Sequence, residues 1–177
     1  MNIALCGPLG AGCTEVGQLL AGRLGMRCIN TGDAVRALVS EFSESFREFE
    51  GRVRSGEVDL DKMIDGEIDE LLEEGETVVE GRSGFMLLSN EAVFKILLVA
   101  PRERRVKHIA STRGISPEEA EREIEASDKE RMHMVERLFH RDWMDPGNYD
   151  LVVNTGPKGY EEVSEILAKA IKAFQKA

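Results

Sequence analysis

An octet of mostly small residues, Gly7-Pro8-Leu9-Gly10-Ala11-Gly12-Cys13-Thr14, constrains this chain more than any other feature. It follows a short apolar run, residues 2 to 6, that reads as a buried strand. It precedes Val16, Leu19, Leu20 and Leu24, whose spacing predicts an amphipathic helix ended by Gly25. A strand that turns through glycines into a helix points consecutive backbone N–H groups inward and adds the positive end of the helix dipole, making a nest for anions. Seven of the eight places are compatible with the phosphate-loop pattern GxxxxGK[ST]. The exception is the lysine place, which Cys13 fills, and no lysine occurs before Lys62. Thr14 retains the hydroxyl that can ligate Mg²⁺. A plain glycine-rich turn has the same local pattern. The retained threonine and the position between first strand and first helix favour a phosphate site made of Gly7, Gly10, Ala11, Gly12, Cys13 and Thr14.

The rest of the chain continues the alternation. A short strand near 27 to 30 leads through Thr31-Gly32-Asp33 to a helix with Val35, Leu38 and Val39, and residues 40 to 58 are polar and irregular. From Leu60, the positions Met63, Ile64, Ile68, Leu71 and Leu72 recur at helical spacing until Gly75. Residues 77 to 80 and 93 to 99 read as buried strands, Ser116-Pro117-Glu118-Glu119 as a capped helix start, and 149 to 154 as a fifth strand before a closing amphipathic helix. Strands separated by helices imply a parallel sheet covered on both faces, a three-layer α/β/α architecture. At 177 residues the chain suits a single domain, 1–177.

Charge narrows the partners. A net charge of −10 disfavours polymeric nucleic acid and anionic membranes. Residues 102 to 141 nevertheless carry 10 of the 23 basic side chains, so an anionic ligand would be drawn to that segment. The N-terminus has neither a basic n-region nor a long apolar stretch, which predicts a cytoplasmic protein. Cys6, Cys13 and Cys28 are odd in number and lack CxxC spacing, so they predict neither a disulfide framework nor a zinc site.

Five segments in order carry a resemblance: Gly10-Ala11-Gly12-Cys13-Thr14-Glu15-Val16-Gly17; Val79-Glu80-Gly81-Arg82; Arg113-Gly114-Ile115-Ser116 leading to Glu119-Ala120; Asp128-Lys129-Glu130-Arg131; and Asp145 through Thr155. Through them the chain resembles the cytidylate kinases, both the short archaeal type and the cytidylate kinase-like family whose loops also lack the lysine. The resemblance implies a P-loop nucleoside monophosphate kinase fold with a five-stranded parallel sheet, a monophosphate-binding region at about 31–75 and a lid at about 115–140. It also implies transfer of the γ-phosphoryl group of ATP, with Mg²⁺, to CMP or dCMP.

Candidate side chains follow. Arg82 follows the third strand at its carboxyl end, where ligands of open α/β sheets bind, and its fork suits an acceptor phosphate. Arg36 matches the family's other acceptor arginine, and Asp33 belongs to the same monophosphate-binding set. Glu80 matches an acidic residue that orders the acceptor or its metal. Arg131 resembles the lid arginine that closes over the transferred group, and Asp128, three residues earlier on the same helix face, would orient it. Asp61, Asp65, Asp69 and Glu73 form an acidic column whose first two members match nucleoside-site acids. Each position also reads as an ordinary surface turn, strand end or solvated helix face, as do the i,i+4 pairs Glu118–Arg122 and Glu125–Lys129. His108, His133 and His140 have no metal spacing. Two other functions stay open: a nucleotide-binding module that no longer transfers phosphate, with Cys13 as its mark, and a small kinase for a non-nucleotide metabolite.

Overall fold

The computed structural model describes residues 1–34, 55, 60–73 and 75–175. Its centre is a sheet of five parallel strands, in the order β2-β3-β1-β4-β5. These are β1 (Asn2–Cys6), β2 (Arg27–Ile29), β3 (Thr77–Glu80), β4 (Val93–Val99) and β5 (Leu151–Asn154). The first strand lies in the middle, with Ile3 opposite Val78 on one side and Phe94 on the other. The β2 and β5 runs are shorter than the apolar patterns suggest, because Asn30 and Tyr149 leave the ladder. Asn30 accepts the N–H groups of Gly32 and Asp33 through its side chain, and Tyr149 follows the 3₁₀ turn Pro146–Asn148.

Alternation along β1 decides which helices cover which face. Ile3 and Leu5 join a core with Val16, Leu20, Val163, Leu167 and Ile171, contributed by α1 (Cys13–Leu24) and by α6 (Tyr160–Phe174). Ala4 and Cys6 point the other way, into a core with Ile64, Ile68, Phe85, Val135 and Trp143. That face is covered by α2 (Leu60–Glu73), α3 (Arg82–Met86) and α5 (Pro117–Phe139). Two cores on a two-sided sheet are what strands apolar on both faces require.

The helix α4 (Arg102–Arg113) and the start of α5 share a third, small cluster of Ile109, Ala120 and Ile124, against which Leu9 of the phosphate loop packs. The junction between these helices is the capped start read from the sequence: Ser116 accepts the Glu119 N–H, and Glu119 returns a bond to the Ser116 N–H. Their charges pair across the hairpin, Arg102 with Glu121 and Glu125, and Arg113 with Glu123. Glu125 therefore serves a tertiary contact with Arg102. Neither α3 nor α4 is evident as a helix from apolar spacing. The first is short and its residues 83–86 are buried throughout, while the second buries only Arg105 and Ile109.

The Cys6 and Cys13 thiols are buried and Cys28 is half-buried, all three free. Among the described residues, no helix is long and apolar enough to cross a membrane. Arg36, Val35, Leu38 and Val39 lie outside the described residues, as do the side chains of Asp61 and Asp65.

Candidate active site

The octet between β1 and α1 has the backbone its glycines forecast. Gly10 and Gly12 take φ values of 85° and 93°, a region closed to most side chains. Gly12 is also the N-cap of α1 and supplies no side-chain cap, so the first N–H groups of the helix keep their donor capacity. Those donors, with the loop, border a cavity of about 240 Å³ that Cys13, Thr14, Glu80 and Arg131 also line.

At the lysine position the Cys13 side chain is 9% exposed. Burial, and then the nearby Glu80 carboxylate, push its thiol up to about 12. It is therefore a neutral, weakly polar group where a lysine would place a charge. Positive charge reaches this cavity instead from Arg131 of α5 and from Arg113 of α4, the latter paired with Glu123. Arg131 is 8% exposed, and its Nη1 donates to the Ser127 carbonyl at 3.1 Å and to the Ser127 hydroxyl. Its buried Nε has no hydrogen-bond partner among the described residues. Desolvation depresses its pKa, but a guanidinium remains ionised. A buried cation with an unmet donor beside an anion nest is a strong site for phosphate oxygens.

Glu80 closes the other wall. It sits at the end of β3, 5% exposed, and accepts a hydrogen bond from Thr14 Oγ1 at 3.1 Å. Burial raises its pKa, against the opposing effect of the Thr14 hydroxyl. A hydroxyl and a carboxylate in contact at the mouth of a phosphate nest form an all-oxygen donor set, which fits a hard divalent cation.

Toward the second strand the cleft opens into a further cavity of about 370 Å³, bordered by Thr14, Asn30, Thr31, Glu80, Arg82 and Arg131. Arg82 begins α3 and is half exposed, its Nη2 2.7 Å from the Glu130 carboxylate of α5. Ser83 beside it is buried and donates to Thr31 Oγ1 at 2.8 Å. Asp33 has a local task as well, since its Oδ2 accepts the Asn30 N–H at 2.9 Å. With Asn30 accepting in return, the pair makes a reciprocal cap for the helical residues 31–34.

Asp128 shares a helix face with Arg131; its direct partners are Arg105 of α4 at 2.5 Å and the Leu9 N–H at 3.3 Å, while Arg131 donates to Ser127. Arg105, Ser127 and Glu130 are absent from the candidates of the sequence. For Arg105 the available signal was the basic excess of the segment that contains it. Glu130 lay within the segment Asp128-Lys129-Glu130-Arg131 without a role of its own, and for Ser127 there was no signal. His108 also acquires a place: its Nε2 lies 2.9 Å from Glu15 Oε1, and its ring meets Tyr160 edge-on at 5.5 Å.

Sheet order, phosphate loop and a cleft walled by buried cation and carboxylate define a P-loop phosphotransferase of the kinase type. The chain belongs to the cytidylate kinase-like family, whose model matches residues 2–157. It is 33% identical over 170 residues to the cytidylate kinase of Ignicoccus hospitalis, covering 96% of this chain and 98% of that protein. It is 31% identical over 178 residues to the cytidylate kinase of Methanopyrus kandleri, covering 96% and 92%. These relatives place it among the nucleoside monophosphate kinases. Among solved structures, an uncharacterized protein from Eubacterium ventriosum is similar with a TM-score of 0.78 at 15% identity, covering 97% and 98%. Shikimate kinase from Acinetobacter baumannii is similar with a TM-score of 0.61 at 17% identity, covering 97% and 93%. Both likenesses concern the fold.

Proposed function

We propose that this protein transfers the γ-phosphoryl group of ATP to CMP or dCMP. The acceptor phosphate oxygen attacks the γ-phosphorus in line, the bond to the β-phosphate oxygen breaks, and ADP leaves beside a nucleoside diphosphate. Such transfer needs positioning and charge neutralisation rather than a covalent intermediate. The observation that carries the reading is the convergence of the uncapped loop, Thr14, Glu80 and the buried side chain of Arg131 on one cavity. The names of the relatives supply the base, since both are called cytidylate kinase.

In this reading the loop amides of residues 10–14 hold the donor phosphates, and Arg131 balances charge on the transferred group in place of a loop lysine. Thr14 and Glu80 would hold Mg²⁺, which supplies further neutralisation of the phosphate oxygens. Arg82, with Arg36, grips the acceptor phosphate, and Asp33 and Asp61 belong to the monophosphate-binding region of 31–75. The segment 115–140 acts as the lid, which over bound substrates would exclude water and limit wasteful hydrolysis.

The test is a coupled assay over all nucleoside monophosphates, run beside ATP-binding measurements. Turnover with CMP or dCMP well above the others is expected. ATP binding without transfer to any monophosphate would replace this reading by that of a nucleotide-binding module.

A further inference from the structure

Leu9, the third residue of the phosphate loop, is held in three ways by the two helices that follow β4. Its side chain packs on the cluster of Ile109, Ala120 and Ile124. Its carbonyl accepts from Arg105 Nε at 2.8 Å, and its N–H donates to Asp128 Oδ1 at 3.3 Å. The two polar partners are themselves joined, Arg105 Nη2 to Asp128 Oδ2 at 2.5 Å. The backbone of one residue, one guanidinium and one carboxylate thus close a ring between loop, α4 and α5. Arg105 is 9% exposed, so water competes little for these bonds.

Arg131 lies three residues beyond Asp128, and side chains three apart share a helix face. Pinning Asp128 to the loop therefore sets where the Arg131 guanidinium enters the cavity. We infer that Arg105 is a positioning residue for phosphoryl transfer, which fixes the loop against α5 and so places Arg131 over the loop. The inference rests on the proposed role of Arg131. Arg105 itself does not line the cavity that Arg131, Cys13 and Thr14 share.

Two separable jobs fall to this one side chain. Its planar fork presents two edges at fixed angles, one to a carbonyl and one to a carboxylate, which a lysine ammonium cannot reproduce. Its charge cancels Asp128, whose carboxylate would otherwise stand unpaired at a loop built to receive phosphate. Loss of the fork predicts poor placement of Arg131, seen in kcat. Loss of the charge predicts repulsion of the donor, seen in KM for ATP.

The experiment compares Arg105→Lys, Arg105→Met and the double variant Arg105→Met/Asp128→Asn, by steady-state kinetics and by hydrogen exchange. Arg105→Lys should leave KM for ATP within about twofold and lower kcat by about a hundredfold, the scale of a small misplacement of a catalytic group. Arg105→Met should also raise KM for ATP by about tenfold, and the double variant should recover that KM without recovering kcat. In both single variants exchange should quicken in residues 7–14 and 124–134 and stay slow in β1 and β4. Parental kcat in Arg105→Lys would overturn the inference, as would exchange that quickens equally across the central strands. If the parent transfers to no monophosphate, the proposed reaction fails separately. Joint quickening of loop and α5, with affinity for the β,γ-imido analogue of ATP weakened about tenfold in Arg105→Met and regained in the double variant, would still support the link. Unchanged exchange would overturn it whatever the turnover.

Discussion

The two ends of the cleft are built from different materials. At the donor end, the loop backbone, Glu80, Arg105 and Arg131 are enclosed, with 5%, 9% and 8% exposure for the three side chains. At the acceptor end, the one described basic side chain from α3 is Arg82, whose 46% exposed side chain pairs with a 61% exposed Glu130. Exposed ion pairs of this kind contribute about 0 to 1 kcal/mol, while breaking a buried one costs about 3 to 5 kcal/mol. The donor end is therefore prearranged by the core, and the acceptor end is easily rearranged. An order follows from this contrast: substitutions at the donor end should act on binding, stability and rate together, and those at the acceptor end on monophosphate affinity alone.

The hardest blow to the prearranged end is Gly12→Val. A Cβ on Gly12 would overlap the Tyr160 ring, with Cζ 2.8 Å away, on a backbone at φ 93°. Strain of about 1 to 3 kcal/mol is expected, with loss of ATP binding, as read by denaturant melts and equilibrium titration. Unchanged ATP affinity in a folded variant would remove the donor assignment from the loop.

Next in size is Arg131→Ala, expected to lower kcat by more than about a hundredfold, because no lysine shares its electrostatic task. Cys13→Lys should raise the parental rate and partly rescue Arg131→Ala, since both changes concern one cavity. Single-turnover transfer measures both. A loss in Arg131→Ala as small as tenfold would show that charge at the donor end comes from elsewhere.

At the acceptor end, Arg82→Ala should raise KM for the monophosphate by about tenfold and leave KM for ATP within about twofold. Glu130→Ala should do the reverse on a smaller scale, freeing Arg82 and lowering KM for the monophosphate by up to about fivefold. Equal effects of Arg82→Ala on both substrates would erase the distinction between the two ends.

The smallest effect expected is on the stability of the ligand-free protein. Burial raises the Glu80 pKa, so the folded state binds that proton more tightly than the unfolded chain. Ionised Glu80 therefore costs stability at neutral pH, and that cost is relieved as pH falls through the raised folded value. Glu80→Gln should raise Tm at about pH 8, and its advantage should shrink toward about pH 4. Transfer activity should fall in the same variant, since a neutral amide is a poor ligand for a divalent cation. An advantage that grows on acidification would contradict the burial account.

Local rules made the donor end legible. Short apolar runs, period-3.6 helices, glycines that demand positive φ and the Ser116 capping box all act within a few residues, so β1, α1, β3, β4 and the start of α5 stand where the pattern places them. Thr14 came from the loop pattern and Glu80 and Arg131 from the family resemblance, and all three line one cavity. The order of the strands could not be read this way, because a parallel pair is joined through a crossover and its partners are chosen by packing.

Nor could the partners of the charged helix be read. Leu9 meets Arg105 across 96 residues and Asp128 across 119, and Arg82 meets Glu130 across 48. In sequence, Arg105 is one of three arginines in Arg102-Glu103-Arg104-Arg105, which the rules of helix faces leave equivalent to a solvated surface. Arg102 remains on that surface, pairing with exposed glutamates, while Arg105 is buried against the loop. What separates them is the direction each takes from α4 once Ile109, Ala120, Ile124 and Leu9 have packed together. Sequence alone determined the phosphate loop and the absence of its lysine, because those are properties of eight consecutive residues. Only the tertiary structure decided which arginines face the loop, because burial of a charge depends on a neighbour that the chain supplies from a hundred residues away.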